Sequence, residues 1–183
     1  MRGTPVARLI CILAGIYLSA CQGGVRKEHR IPELKSLVRP ERVTEVLGRP
    51  GQLQDIGDAP STLRNVLDQS TISRAEYQTE TAPLRLLRAR MIYKPRSDEE
   101  AGQEFYFVKD EFASLPGVTP LPELVLGNEA AAFGSEDGRN FRLAARKERL
   151  IVTLHVRGDG APADQIAAMK ALAEDIFAGV LTP

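Results

Sequence analysis

Hydrophobic positions along the chain switch between a period near 3.6 and a period of 2, and the switches divide it into helices and strands. Val43, Val46 and Leu47 share one face of a short helix opened by Pro40 and closed by Gly48 and Pro50. Gly51 to Pro60 is rich in breakers and reads as a loop, and the spacing of Leu63, Val66 and Leu67 suggests another helical turn. Two strands follow, Ile72 to Thr79 and Leu84 to Tyr93, interrupted by Ala82 and Pro83. In the second, Leu87, Ala89, Met91 and Tyr93 alternate with Leu86, Arg88, Arg90 and Ile92. One face is therefore apolar and the other carries arginines, which predicts a sheet with one wet face or one covered from outside the domain.

Ser97 and Glu100 have the spacing of a capping box, in which the serine oxygen and the glutamate carboxylate satisfy free amides at a helix start. Ala101, Phe105, Val108, Phe112 and Leu115 then form a helical stripe for packing on the sheet, ended by Pro116-Gly117; Phe105 to Val108 taken alone also suits a strand. Pro120 and Pro122 break the next connection. Beyond Leu126 to Ala130, two antiparallel hairpins are expected in succession: Ala131 to Phe133, an Asp137-Gly138 turn, a strand around Phe141 to Ala145, the Lys147-Glu148 turn, and Leu150 to Arg157. A closing helix from about Ala163 to Ala178 follows Pro162 and carries Ile166, Met169, Ala173, Ile176 and Val180 on one side. The predicted class is α+β, a single antiparallel sheet with helices packed on one face.

The first residues follow a different rule. Arg2 and Arg8 precede an apolar run from Leu9 to Tyr17, which matches a secretory signal and is shorter than the ~20 residues a membrane-spanning helix needs. Leu18-Ser19-Ala20-Cys21 resembles the lipobox of bacterial lipoproteins. The resemblance implies cleavage before Cys21 and acylation of its sulfur, with the membrane as partner through that lipid. Residues 1–20 are thus expected to be a signal peptide, 21–33 a lipidated tether containing Gly23 and Gly24, and 34–183 one extracytoplasmic domain on the cell membrane.

Removing 20 of 183 residues leaves 163, with 22 basic against 24 acidic side chains, a formal charge of −2. That balance argues against a nucleic-acid partner. Cys11 leaves with the signal and Cys21 is committed to lipid, so disulfides, zinc-thiolate sites and a cysteine nucleophile are not expected.

From the Pro40 helix to the closing helix, the order of elements resembles small extracytoplasmic domains of actinobacterial lipoproteins and of membrane serine/threonine kinase sensors. Leu126-Gly127-Asn128-Glu129-Ala130 is similar to their Gly-Leu-Gly-Asp-Glu-Ala segment. Many of those domains carry disulfides, which this chain would lack. The resemblance implies ligand sensing or modulation of signalling at the cell surface, with a membrane sensor as partner.

Residue chemistry offers little for catalysis. His155 shares a strand face with Ile151, Thr153 and Arg157, and no G-x-S-x-G elbow accompanies it, so a sheet-surface histidine is the expected reading. Asp98-Glu99-Glu100, Asp110-Glu111, Glu136-Asp137 and Glu174-Asp175 read as solvated helix ends and turns; Gly134 to Gly138 and Gly158 to Gly160 meet neither EF-hand nor P-loop spacing. No catalytic, cofactor-binding or metal residue is therefore expected. The expected role is a non-catalytic lipoprotein that negatively regulates envelope-stress or cell-surface signalling through a membrane sensor. The alternatives are a surface binding module for a lipid, glycan or small ligand and, third, an envelope hydrolase.

Overall fold

A computed structural model describes residues 31–55, 62–67, 69–159 and 164–181. The signal segment, Cys21 and the tether up to residue 30 lie outside the described residues, as do Pro162 and Ala163 before the last helix.

The elements run in the order α1 (Leu34–Leu37), α2 (Pro40–Leu47), β1 (Gly51–Leu53), β2 (Thr62–Arg64), β3 (Thr71–Thr79), β4 (Arg85–Tyr93), α3 (Asp98–Ala113), β5 (Val118–Pro120), β6 (Glu129–Ser135), β7 (Asn140–Lys147), β8 (Leu150–Gly158) and α4 (Gln165–Leu181). All eight strands join one antiparallel sheet in the order β1-β3-β4-β8-β7-β6-β5, with β2 pairing β3 beside β1. The α+β class and the single antiparallel sheet are as expected.

The helices are not confined to one face. Leu87, Ala89 and Met91 of β4 and Leu150, Val152, Leu154 and Val156 of β8 point to a first face, where they pack with α1, α2 and α4 through Leu34, Val46, Leu47, Met169, Leu172 and Ile176. Helix α3 packs on the second face, where Ile92, Ile151, Ala144 and Phe133 meet Ala101, Phe105, Val108 and Phe112. The reason is local: the alternating positions of β4 and β8 become apolar on both sides near Ile92 and Ile151, and α3 begins only a few residues after β4 ends.

Local chemistry sets most boundaries. Ser97 accepts from the Glu100 amide at 3.1 Å, the serine half of the capping box, whereas Glu100 Oε2 is buried without a partner among the described residues. The glutamate half therefore does not form. Gly48 closes α2 at φ 69°, a left-handed conformation that favours glycine. Phe105 to Val108 is helical. The turn expected around Leu63 is instead β2 paired to Ser73–Thr71, with Asn65 Oδ1 accepting from the Leu67 amide at 3.0 Å; Val66 and Leu67 project into solvent at 88% and 85% exposure. Part of the expected Gly51 loop is strand β1, and the Pro120 connection is edge strand β5, where a missing amide donor is tolerated.

The Leu126 to Ala130 segment has a structural function. A Cβ at Gly127, which sits at φ +62°, would collide with the Arg146 carbonyl, so glycine permits the close approach. Asn128 donates its amide to Arg146 O at 2.7 Å and accepts from the Glu148 amide at 2.6 Å, while Glu129 pairs with Arg146 at 2.5 Å. These contacts lock the start of β6 to the β7–β8 turn.

Candidate functional site

The part of the second sheet face that α3 leaves uncovered carries charge. Cross-strand register places Arg88 of β4, His155 of β8 and Arg142 of β7 in one row, with Glu76 of β3 beyond Arg88. A neighbouring row runs Arg74, Arg90, Thr153, and the row on the other side brings Leu86, Arg157 and Asn140 together. Five arginines thus surround His155 because alternate residues of paired strands share a face, with adjacent strands ~4.8 Å apart.

Counter-charge is sparse. Glu76 is held by Arg88 Nε at 2.6 Å, while Arg74, Arg90, Arg142 and Arg157 make no ion pair among the described residues. Arg142 lies over Phe112 of α3, its guanidinium carbon 5.1 Å from the ring centroid, which fixes the side chain at the border between covered and open sheet. Burial pushes the Arg142 pKa down and Glu111 opposes it. Among the described residues, Arg90 Nε, Arg142 Nε and His155 Nε2 are each buried without a hydrogen-bond partner. Such atoms carry a desolvation cost that a partner would relieve.

Burial, followed by the charges of Arg142, Arg88 and Arg157, pushes the His155 pKa down to about 4. His155 is therefore neutral at pH 7 in the folded chain and resists the proton that an unfolded histidine takes up near pH 6.5. Its contribution to stability is complete above pH 6.5 and is lost as pH falls toward 4. The expected loss is about 2 kcal/mol after allowance for solvent screening. Urea unfolding at pH 7 and pH 4.5 should show a flatter dependence for His155→Gln than for the natural chain. Equal slopes would contradict the assignment.

Among the described residues, the histidine is not assembled with a nucleophile and a carboxylate. Its cross-strand neighbours are Arg88 and Arg142, and the acidic pairs are dispersed. Asp98 to Glu100 begin α3, Glu111 lies exposed on its surface, and Asp137 joins Ser135 in the β6–β7 turn. Asp175 on α4 binds Arg39 and Arg42, which hold its carboxyl below the usual range against an opposing effect of burial. Asp159 after β8 pairs with Arg139 at 2.6 Å. Among the described residues no group of three or more histidine, cysteine or acidic side chains could hold a metal, and no helix is long and apolar enough to cross a membrane.

His155 shares its face with Ile151, Thr153 and Arg157, as the strand alternation predicts, but the convergence of Arg74, Arg88, Arg90 and Arg142 on it was not read from the sequence. The available signal was the alternating Arg88/Arg90 and His155/Arg157 pattern; strand pairing supplies the missing order. Surface depressions among the described residues lie elsewhere: one is lined by Lys94, Glu100, Gln103, Glu104 and Phe107, and another runs between α2 and α4 beside Glu45, Gly48 and Asp164.

No protein-family model and no curated protein matches the chain. Among solved structures, the fold is similar to the extracellular domain of PknH from Mycobacterium tuberculosis, with a TM-score of 0.58 and 11% sequence identity; the match covers 85% of this chain and all of that one. This likeness identifies the fold.

Proposed function

We propose that this chain is a lipoprotein anchored through Cys21 to the extracytoplasmic face of the cell membrane, where its domain, without catalysis of its own, negatively regulates surface or envelope-stress signalling through a membrane sensor. The observation that carries the reading is the open arginine face: a charged surface with unsatisfied buried donors and no nucleophile or acid beside its histidine is suited to binding and not to turnover. The fold it shares with a kinase extracellular domain supports a sensory setting. The lipobox-like segment supports the anchor.

Deleting the gene tests the regulatory role. Envelope-stress transcription under a cell-wall antibiotic should rise several-fold and return to normal when the natural chain is restored. Restoration with the Arg90→Gln/Arg142→Gln double variant should fail. Unchanged transcription after deletion would refute the regulatory reading, and full rescue by the double variant would remove the arginine face from it. The second reading, a surface binding module, is favoured by the same unsatisfied donors.

A further inference from the structure

We infer that the open half of the second sheet face is a binding site for a phosphate group carried by a water-soluble monoester or diester, seated over His155 between Arg88, Arg90 and Arg142. This deepens the reading of the domain as a binding module; the phosphate site does not depend on the anchor or on the signalling role, and only the choice of a soluble source rests on the anchor.

Three observations lead there. The first is charge: five arginines share the patch with Glu76, which Arg88 already engages, and with Glu111 of α3 acting on Arg142. An anion is the complementary ligand. The second is the set of unsatisfied atoms. Arg90 Nε, Arg142 Nε and His155 Nε2 are buried, unpartnered and on neighbouring strands of the same face. Arg88 and Arg142 lie on the strands that flank His155, about 10 Å apart at the backbone as two strand spacings; Arg88 engages Glu76 and Arg142 lies over Phe112, and a change of rotamer brings either long side chain within reach of a phosphate above the ring. A carboxylate has two oxygens in one plane, which a single guanidinium fork can occupy. Donors arriving from several sides are better met by the tetrahedral oxygens of a phosphate, and the arginine fork matches phosphate geometry.

The third observation is the rigidity of the floor. The site lies on central strands β4, β8 and β7, and Phe112 holds Arg142 from the side of α3. Binding would therefore need little ordering of the backbone. The soluble source follows from the opposite face. The chain enters the domain at Ile31 and Leu34, which pack on the first face, with the Leu34 amide donating to Ser73 Oγ at 2.8 Å. The arginine patch lies on the side away from that entry.

The test uses the full chain in non-ionic detergent micelles, with the His155 ring resonances followed by NMR. Inorganic phosphate and glycerol 3-phosphate should each produce a saturable shift that acetate at the same ionic strength does not. Arg142→Gln should weaken the affinity about tenfold, the loss expected for one charge-assisted hydrogen-bond pair. Arg142→Lys should weaken it less, and Lys170→Gln on α4 should leave it unchanged. Arg88 is solvent-exposed, so Arg88→Gln, for which the same weakening is expected, provides a second variant should Arg142→Gln disturb folding. No saturable shift with either phosphate, or an equal response to acetate, would overturn the proposal. A response only to micelles doped with phosphatidylglycerol would overturn the soluble source. Failure here leaves the gene-deletion result intact, because that experiment asks whether the face is needed, not what it binds.

Discussion

Replacing Arg85 by Ala should destabilise the domain by about 3 to 5 kcal/mol, from the cavity left by a long buried side chain together with the buried acceptors left unsatisfied. Arg85 is 2% exposed and stands at the start of β4 against the end of α2. Its guanidinium donates to the Leu47 carbonyl at 2.9 Å and to Gln165 Oε1 at 2.5 Å; Gln165 Nε2 donates to the Val46 carbonyl at 2.9 Å, and the Arg85 amide donates to Thr79 Oγ1 at 2.9 Å. The network thus caps the last carbonyls of α2 with a cation, where the helix dipole favours positive charge, and ties that helix to α4 and the sheet. Burial lowers the Arg85 pKa, so the charge is itself costly, and deletion recovers part of that cost. What remains is the larger effect: an acceptor left unsatisfied on Leu47, another on Gln165, and a cavity the size of a long side chain.

Arg85→Met separates these contributions. It keeps most of the volume and loses the hydrogen bonds, so it should cost about 1 to 3 kcal/mol, less than Arg85→Ala. Chemical unfolding of the two variants and the natural chain measures both. A thermal midpoint lowered by roughly 10 °C is expected for Arg85→Ala in a domain of this size. An alanine variant within 1 kcal/mol of the natural chain would show that the network contributes no net stability.

The parts of the fold written in short-range chemistry were legible in the sequence. Pro40 and Gly48 bracket α2, Ser97 caps α3, and the alternation in β4 and β8 sends Leu87, Leu154 and their neighbours to one face. Elements whose reason is pairing were not legible. β2 and β5 are three residues each and form because β3 and β6 offer edges; their own residues, Thr62–Arg64 and Val118–Pro120, have no apolar alternation to announce them. The face occupied by α3 also depends on tertiary register. Its apolar stripe was visible, but whether Ile92 and Ile151 meet it depends on the pairing of β4 with β8, which aligns the two isoleucines.

The site was less legible than the fold for a related reason. A formal charge of −2 on residues 21–183 averages over surfaces and hides a patch where four strands each bring arginine or histidine to one side. Arg88 and Arg142 are 54 positions apart in sequence and separated by one strand in the sheet. Arg85 shows the converse. It looks like any other strand arginine, yet it points into the first core, and the cue lay in its position: it falls on the same parity as Leu87, Ala89 and Met91.

The proposed anchor gives the second large effect. Two acyl chains hold a protein on a bilayer stably, whereas a chain without lipid has no comparable attachment, since each buried methylene contributes ~0.8 kcal/mol. Cys21→Ala should therefore leave a folded chain that is secreted or retains its signal, with the domain's thermal midpoint unchanged because residue 21 lies before the first described element. The proposed regulatory effect should be lost with the anchor, as a released domain would no longer stay close to a membrane sensor.

Mass spectrometry of the N-terminal peptide recovered from membranes of cells expressing the natural chain and Cys21→Ala tests the proposed anchor most directly. The natural chain should begin at Cys21 with a diacylglyceryl group on its sulfur and remain with the membrane after high-salt washing; the variant should carry no lipid. A natural chain recovered without lipid on Cys21, or cleaved at another bond, would contradict the account.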